Sequence, residues 1–124
     1  MDAVAKVGLL HDAYRAFNQR RVDDLLALMV PDVAWPDVAR GEVLRSHDEV
    51  LAYWRAQFAA ASPRVEPTDF VAAGEDVVAV VRQQVFDHAG APLTEAVTVF
   101  HRYSFRDDNV ASMTVHHDRA SALA

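Results

Sequence analysis

Four side chains could carry chemistry. Asp37 closes the stretch Asp32-Val33-Ala34-Trp35-Pro36-Asp37-Val38. If that stretch is extended, Val33, Trp35 and Asp37 share one face, because side chains alternate along a strand. A carboxylate beside an indole and a valine either ends a strand in water or lines a pocket. In a pocket, apolar walls raise its pKa toward the range of a general base. His101 sits among Val99, Tyr103 and Val115, where a neutral imidazole could donate to a developing enolate oxygen or simply bond a neighbour in a core. His116-His117 resembles a metal pair, but adjacent strand residues point to opposite faces and cannot clasp one ion. Asp37, His101 and His117 have a two-histidine, one-carboxylate composition, but their spacing does not demand a metal, and none is expected.

The elements that would position these groups follow from periodicity. Ala3, Val7, Leu10, Tyr14 and Phe17 form a 3-4-3-4 stripe, which predicts a helix over residues 3–17. A short second helix has Asp23 and Asp24 in its first turn and ends at Pro31-Asp32. A short strand from Val33 to Asp37 comes next. Ser46-His47-Asp48-Glu49 is a capping box. The helix it opens carries Val50, Leu51, Trp54 and Phe58 on one face and runs to about Ala61, before Pro63. Beyond Arg64 the period changes to 2. Val65–Ala72, Val77–Phe86, Thr94–Arg106 and Val110–Asp118 read as four strands. Three helices followed by hairpin-linked strands is an α+β pattern: a curved antiparallel sheet with the helices on its concave face.

Along Thr94–Arg106, Val97, Val99, His101, Tyr103 and Phe105 form the more apolar face and are expected to point inward. A three-residue turn at 107–109, with Asn109 in the left-handed region, pairs Phe105 with Ala111, Tyr103 with Met113, His101 with Val115 and Val99 with His117. His101 and His117 then become diagonal neighbours, roughly 7–8 Å apart at the backbone.

Composition narrows the function. The chain has 124 residues, enough for one core, so a single domain over 1–124 is expected. A net charge of −6 without a Lys/Arg cluster argues against a nucleic-acid partner. No apolar run reaches membrane-spanning length. The absence of cysteine excludes disulfides and thiolate metal sites and fits a reducing, cytoplasmic setting. No phosphate-cradling glycine loop is present, and no cofactor is expected.

The stretches YRAFNQRRVDDLLALMVPDVAWPD, LRSHDEVLAYWRAQF and VFHRYSFRDDNVASMTVHHD resemble the SnoaL-like and ketosteroid-isomerase-like proteins of the nuclear-transport-factor-two-like superfamily. The resemblance covers nearly the whole chain. It implies a cone-shaped α+β fold, a deep apolar pocket and dimers formed through the outer sheet face, where Phe100 is the odd aromatic. It aligns Asp37 with the proton-shuttling carboxylate, His101 with the acid that donates to the oxyanion, and His117 with a pocket-lining aromatic. The family's oxyanion tyrosine falls on Ala13, leaving Tyr14 one residue off, a rotation of about 100° around the helix. The expected pocket comprises Tyr14, Trp35, Trp54, Phe58, Val99, Tyr103, Met113, Val115 and His117, around Asp37 and His101 as catalytic pair. Two readings stay open at this point. One is an isomerase or cyclase acting beside the carbonyl of a small apolar compound; the other is a ligand-binding protein of the same fold without turnover.

Overall fold

The computed structural model describes residues 1–124. In chain order the elements are α1 (Ala3–Asn18), α2 (Val22–Leu26), β1 (Met29–Asp37), β2 (Glu42–Leu44), α3 (His47–Ala60), β3 (Ser62–Ala73), β4 (Asp76–Phe86), β5 (Val97–Arg106), β6 (Asn109–His116) and α4 (Arg119–Leu123). The strands make one curved, unclosed sheet in the order β2-β1-β6-β5-β4-β3.

Local chemistry sets most boundaries. Asp2 caps α1 by accepting from the Ala5 amide at 2.8 Å, and Ser46 caps α3 by accepting from the Glu49 amide. Asn18, the last residue of α1, donates to the Val65 carbonyl at 2.7 Å and accepts from the Val65 amide at 3.0 Å. That two-way bond ties α1 to β3 and fixes which helix face meets the sheet. Gly74 takes φ 61° at the tight β3–β4 turn, a conformation a side chain disfavours.

The long strands bend at register shifts, where Thr68 is extra in β3 and Ala111 is extra in β6 opposite Ser104 and Phe105. Extra residues of this kind kink a strand and increase its twist, so the sheet wraps around α1–α3. The core lies in that concavity. It includes Leu10, Val33, Val50, Trp54, Val77, Ala79 and Val81, all nearly inaccessible to solvent.

The structure departs from the sequence reading in several features, among them the added strand β2 and a β5 that begins at Val97. β1 starts at Met29 and runs through Pro31-Asp32, because both residues are exposed and Pro31 has no ladder bond to lose on that side. β1 also runs parallel to β6, with Met29 opposite Val110 and Ala34 opposite Ser112, so the sheet is not purely antiparallel. The β5–β6 turn has two residues, Asp107 and Asp108, at φ 53° and 62°. Phe105 therefore pairs with Val110, and the shift at Ser104/Phe105 restores Tyr103 opposite Met113 and His101 opposite Val115. Finally, α4 follows β6, with Asp118 as its N-cap. It packs against β5 and β6. Arg102 secures it, donating to the Ala122 and Ala124 carbonyls while pairing with Asp76 at 2.9 Å.

Candidate functional site

Between the helices and the concave sheet face lies a cavity of about 430 Å³, a size that suits a small organic ligand. Its wall is mainly apolar. Of the residues expected there, Tyr14, Trp35, Trp54, Val99, His101, Tyr103, Met113, Val115 and His117 line it. Trp35 and Trp54 meet edge to face at 5.4 Å, an arrangement the ring quadrupoles favour.

Two expected residues lie elsewhere. Phe58 is not part of the wall; its ring packs on Phe17 at 5.2 Å and carries the Arg20 guanidinium 4.3 Å from its centre. Phe17 takes the lining position instead. Asp37 is buried, at 7% exposure, on the same face of β1 as Val33 and Trp35, yet it too is absent from the wall. Its carboxylate turns to the 38–41 connection, where Oδ1 accepts from the Arg40 amide at 3.3 Å and Oδ2 lies 3.9 Å from Arg40 Nε. Aspartate readily bonds a backbone amide just downstream. Pro36, Val38 and Ala39, on either side of it, do line the cavity.

The polar end of the cavity is a chain of three side chains. Tyr103 donates to the Tyr14 hydroxyl at 2.7 Å, and that hydroxyl lies 2.8 Å from His101 Nδ1. The Tyr14 and His101 ring planes are nearly parallel, at 12°, with their centroids 6.0 Å apart. Tyr14 thus points into the site, and the one-residue offset expected from the alignment does not remove it. Both Ala13 and Tyr14 reach the cavity, because the helix is wide enough to present two consecutive residues to it.

Protonation in this chain follows from burial. Loss of solvent lowers the His101 pKa from 6.5 to about 4, so the imidazole is neutral at ordinary pH. Burial first, and then the neighbouring Tyr103, raise Tyr14 well above a normal phenol. Burial likewise raises Tyr103, partly offset by its bond to Tyr14. Both hydroxyls therefore keep their protons. With Tyr103 donating to the Tyr14 oxygen, the Tyr14 proton goes to Nδ1, and the single imidazole proton sits on Nε2. Successive donors polarise one another, which strengthens the last one. Nε2 has no protein partner, while no buried polar side-chain atom in the molecule lacks a hydrogen bond. Nε2–H is therefore open to the cavity that His101 lines.

Tyr53, a candidate for stacking a flat ligand that its position off the apolar face of α3 argued against, does line the wall, as do Gln57 and Gln83, which sequence reasoning overlooked. Gln57 donates to the Tyr53 hydroxyl at 2.8 Å, one helical turn away. Burial and, secondarily, the Asp37 charge raise the Tyr53 pKa. Gln83 was detectable, since it continues the inward alternation Val77, Ala79, Val81. Tyr53 and Gln57 lie off the apolar stripe of α3 and left no such signal. No three His, Asp or Glu side chains come together in a way that could hold a metal ion.

A curved α+β sheet wrapped round an apolar cavity defines a class of protein, and the comparisons name it. The SnoaL-like domain family matches residues 10–113, and the chain belongs to that family. No curated protein matches the sequence. Among solved structures, an NTF2-like protein of unknown function from Burkholderia pseudomallei K96243 is 26% identical, with a TM-score of 0.78 over 98% of this chain and 95% of that one. A putative polyketide cyclase from Sinorhizobium meliloti is 21% identical, with a TM-score of 0.72 over 88% of this chain and 94% of that one. A hypothetical protein with a ketosteroid isomerase-like fold from Catenulispora acidiphila DSM 44928, in complex with trimethylamine, is 18% identical, with a TM-score of 0.74 over 93% of this chain and 88% of that one. No helix is long and apolar enough to cross a membrane.

Proposed function

We propose that the cavity receives a small, mostly apolar carbonyl compound, and that the protein is an isomerase or cyclase that moves a proton at the carbon beside that carbonyl. The observation that carries this reading is the chain Tyr103–Tyr14–His101, which ends in an unpartnered Nε2–H inside an otherwise apolar wall. A preorganised donor in a water-poor site strengthens its hydrogen bond as a carbonyl oxygen becomes an enolate, which is the requirement for lowering that barrier. The likeness to a protein named a putative polyketide cyclase is consistent with such chemistry at the level of fold.

A second reading, ligand binding without turnover, is favoured by one observation. Asp37, the carboxylate expected to take the proton, lies outside the wall with its oxygen on the Arg40 amide. Two probes separate the readings. 2-Naphthol, a phenol that mimics an enol, reports binding by fluorescence. 5-Nitrobenzisoxazole reports proton abstraction, because loss of its ring C–H breaks the N–O bond and releases a coloured phenolate. Turnover above the buffer rate that falls roughly tenfold or more in His101→Ala supports the enzyme. Tight naphthol binding with no turnover replaces it with the binding protein. Asp37→Asn measures the share of Asp37 in either activity. Pairing of two copies through the outer sheet face is also part of the proposal, and a monomeric mass at micromolar concentration overturns it.

A further inference from the structure

A proton abstraction needs a base with a free lone pair in contact with the substrate, and the wall offers few. Its titratable side chains are Tyr14, Tyr53, His101, Tyr103 and His117, with no carboxylate among them. The three phenols hold their protons, their pKa values raised by burial. His101 has no lone pair to offer, since Nδ1 accepts from Tyr14 and Nε2 bears the hydrogen. His117 remains. It follows the last residue of β6, is solvent-exposed at the cavity mouth, and makes no hydrogen bond to the protein.

We infer that His117 is the general base of this site, working beside His101 on the same bound carbonyl compound. Register supports the placement. His101 pairs with Val115, and His117 stands two residues beyond Val115 on the same alternating face, just past the last pair of the ladder, Phe100 with His116. Such neighbours lie roughly 7–8 Å apart at the backbone, a gap that one small carbonyl molecule can bridge with its oxygen at His101 and its adjacent carbon at His117. The carbon–hydrogen bond breaks and its proton goes to the free nitrogen of His117. The electron pair forms a carbon–carbon double bond while the carbonyl π pair moves onto oxygen, where His101 Nε2–H holds it. The imidazolium of His117 then returns the proton to a different carbon, which gives the isomer and restores the neutral base. No other reactant is required.

This inference rests on the proton-transfer reading above, and the test separates the two. Turnover of 5-nitrobenzisoxazole is compared in wild type, His117→Ala and Asp37→Asn, with 2-naphthol binding as the check that the cavity is intact. His117→Ala is expected to lose roughly 100-fold in rate while still binding naphthol, and added imidazole restores part of the rate by filling the vacated position. An active wild type together with a fully active His117→Ala overturns the role of His117 alone, and a selective loss in Asp37→Asn would return the base to the carboxylate. A wild type that binds naphthol but turns nothing over overturns both the inference and the proton-transfer reading.

Discussion

Acid should reveal the protonation of His101 through stability. The folded protein holds this imidazole at a pKa of about 4 because burial denies the charged form its water, whereas an unfolded chain leaves it near 6.5. Between those values the unfolded state binds a proton that the folded state refuses, so stability rises with pH across the window and falls on acidification. The contribution is complete above about pH 6.5 and is lost progressively toward pH 4. At pH 5 the ratio of the two titration terms is about 30, equivalent to about 2 kcal/mol of destabilisation from this one residue. The assay is urea unfolding followed by the fluorescence of Trp35 and Trp54, both buried, for wild type and His101→Gln at pH 8 and pH 5. Carboxylates and the other histidines contribute to both proteins. The excess acid loss of wild type over the variant isolates His101 and should be about 2 kcal/mol. Equal losses would refute the claim that burial holds the ring neutral.

Two further outcomes follow from the same geometry. Tyr14→Phe removes the donor to Nδ1 and the acceptor of Tyr103; it should cost about 1–3 kcal/mol in urea unfolding and let nitrogen NMR detect a mixture of His101 tautomers in place of Nε2–H alone. Arg102→Ala frees α4 and its C-terminal end from two bonds, so amide exchange should accelerate over residues 119–123 while 2-naphthol binding stays within about twofold of wild type.

The parts of the fold legible in the sequence were those written in local periodicity. The stripe from Val7 to Phe17 and the alternation along Val99, His101 and Tyr103 each report a face that must be buried, the Ser46–Glu49 capping box reports where a helix starts, and each is found in its element. Features set by distant parts of the chain were not legible. Nothing in Met29–Asp37 announces a parallel partner in Asn109–His116, since parallel and antiparallel ladders use similar residues. A helix extends past Asp118 because that side chain caps it by accepting from the Ser121 amide, and five residues are too few to show a period. Within the site, Tyr14 looked misplaced because alignment by residue count ignores how the helix is rotated, and that rotation is set by Asn18 gripping Val65. Asp37 shared the buried face of Trp35 as its spacing required, but alternation gives the face and not the direction of the carboxylate. The Arg40 amide decided that.

The parallel contact of β1 with β6 also has a meaning for the growing chain. β1 supplies Trp35 to the cavity and β6 supplies Met113 and Val115, but most of the sequence separates the two strands. As the polypeptide leaves the ribosome, α1, α2 and β1 emerge with no sheet neighbour to receive them apart from the short β2. The cavity can close only when nearly all of the chain is out, and long-range pairings of this kind fold slowly. Until then the indole of Trp35 and the apolar stripe of α1 stay open to other proteins, so the interval before β6 arrives is when a nascent chain most needs a chaperone.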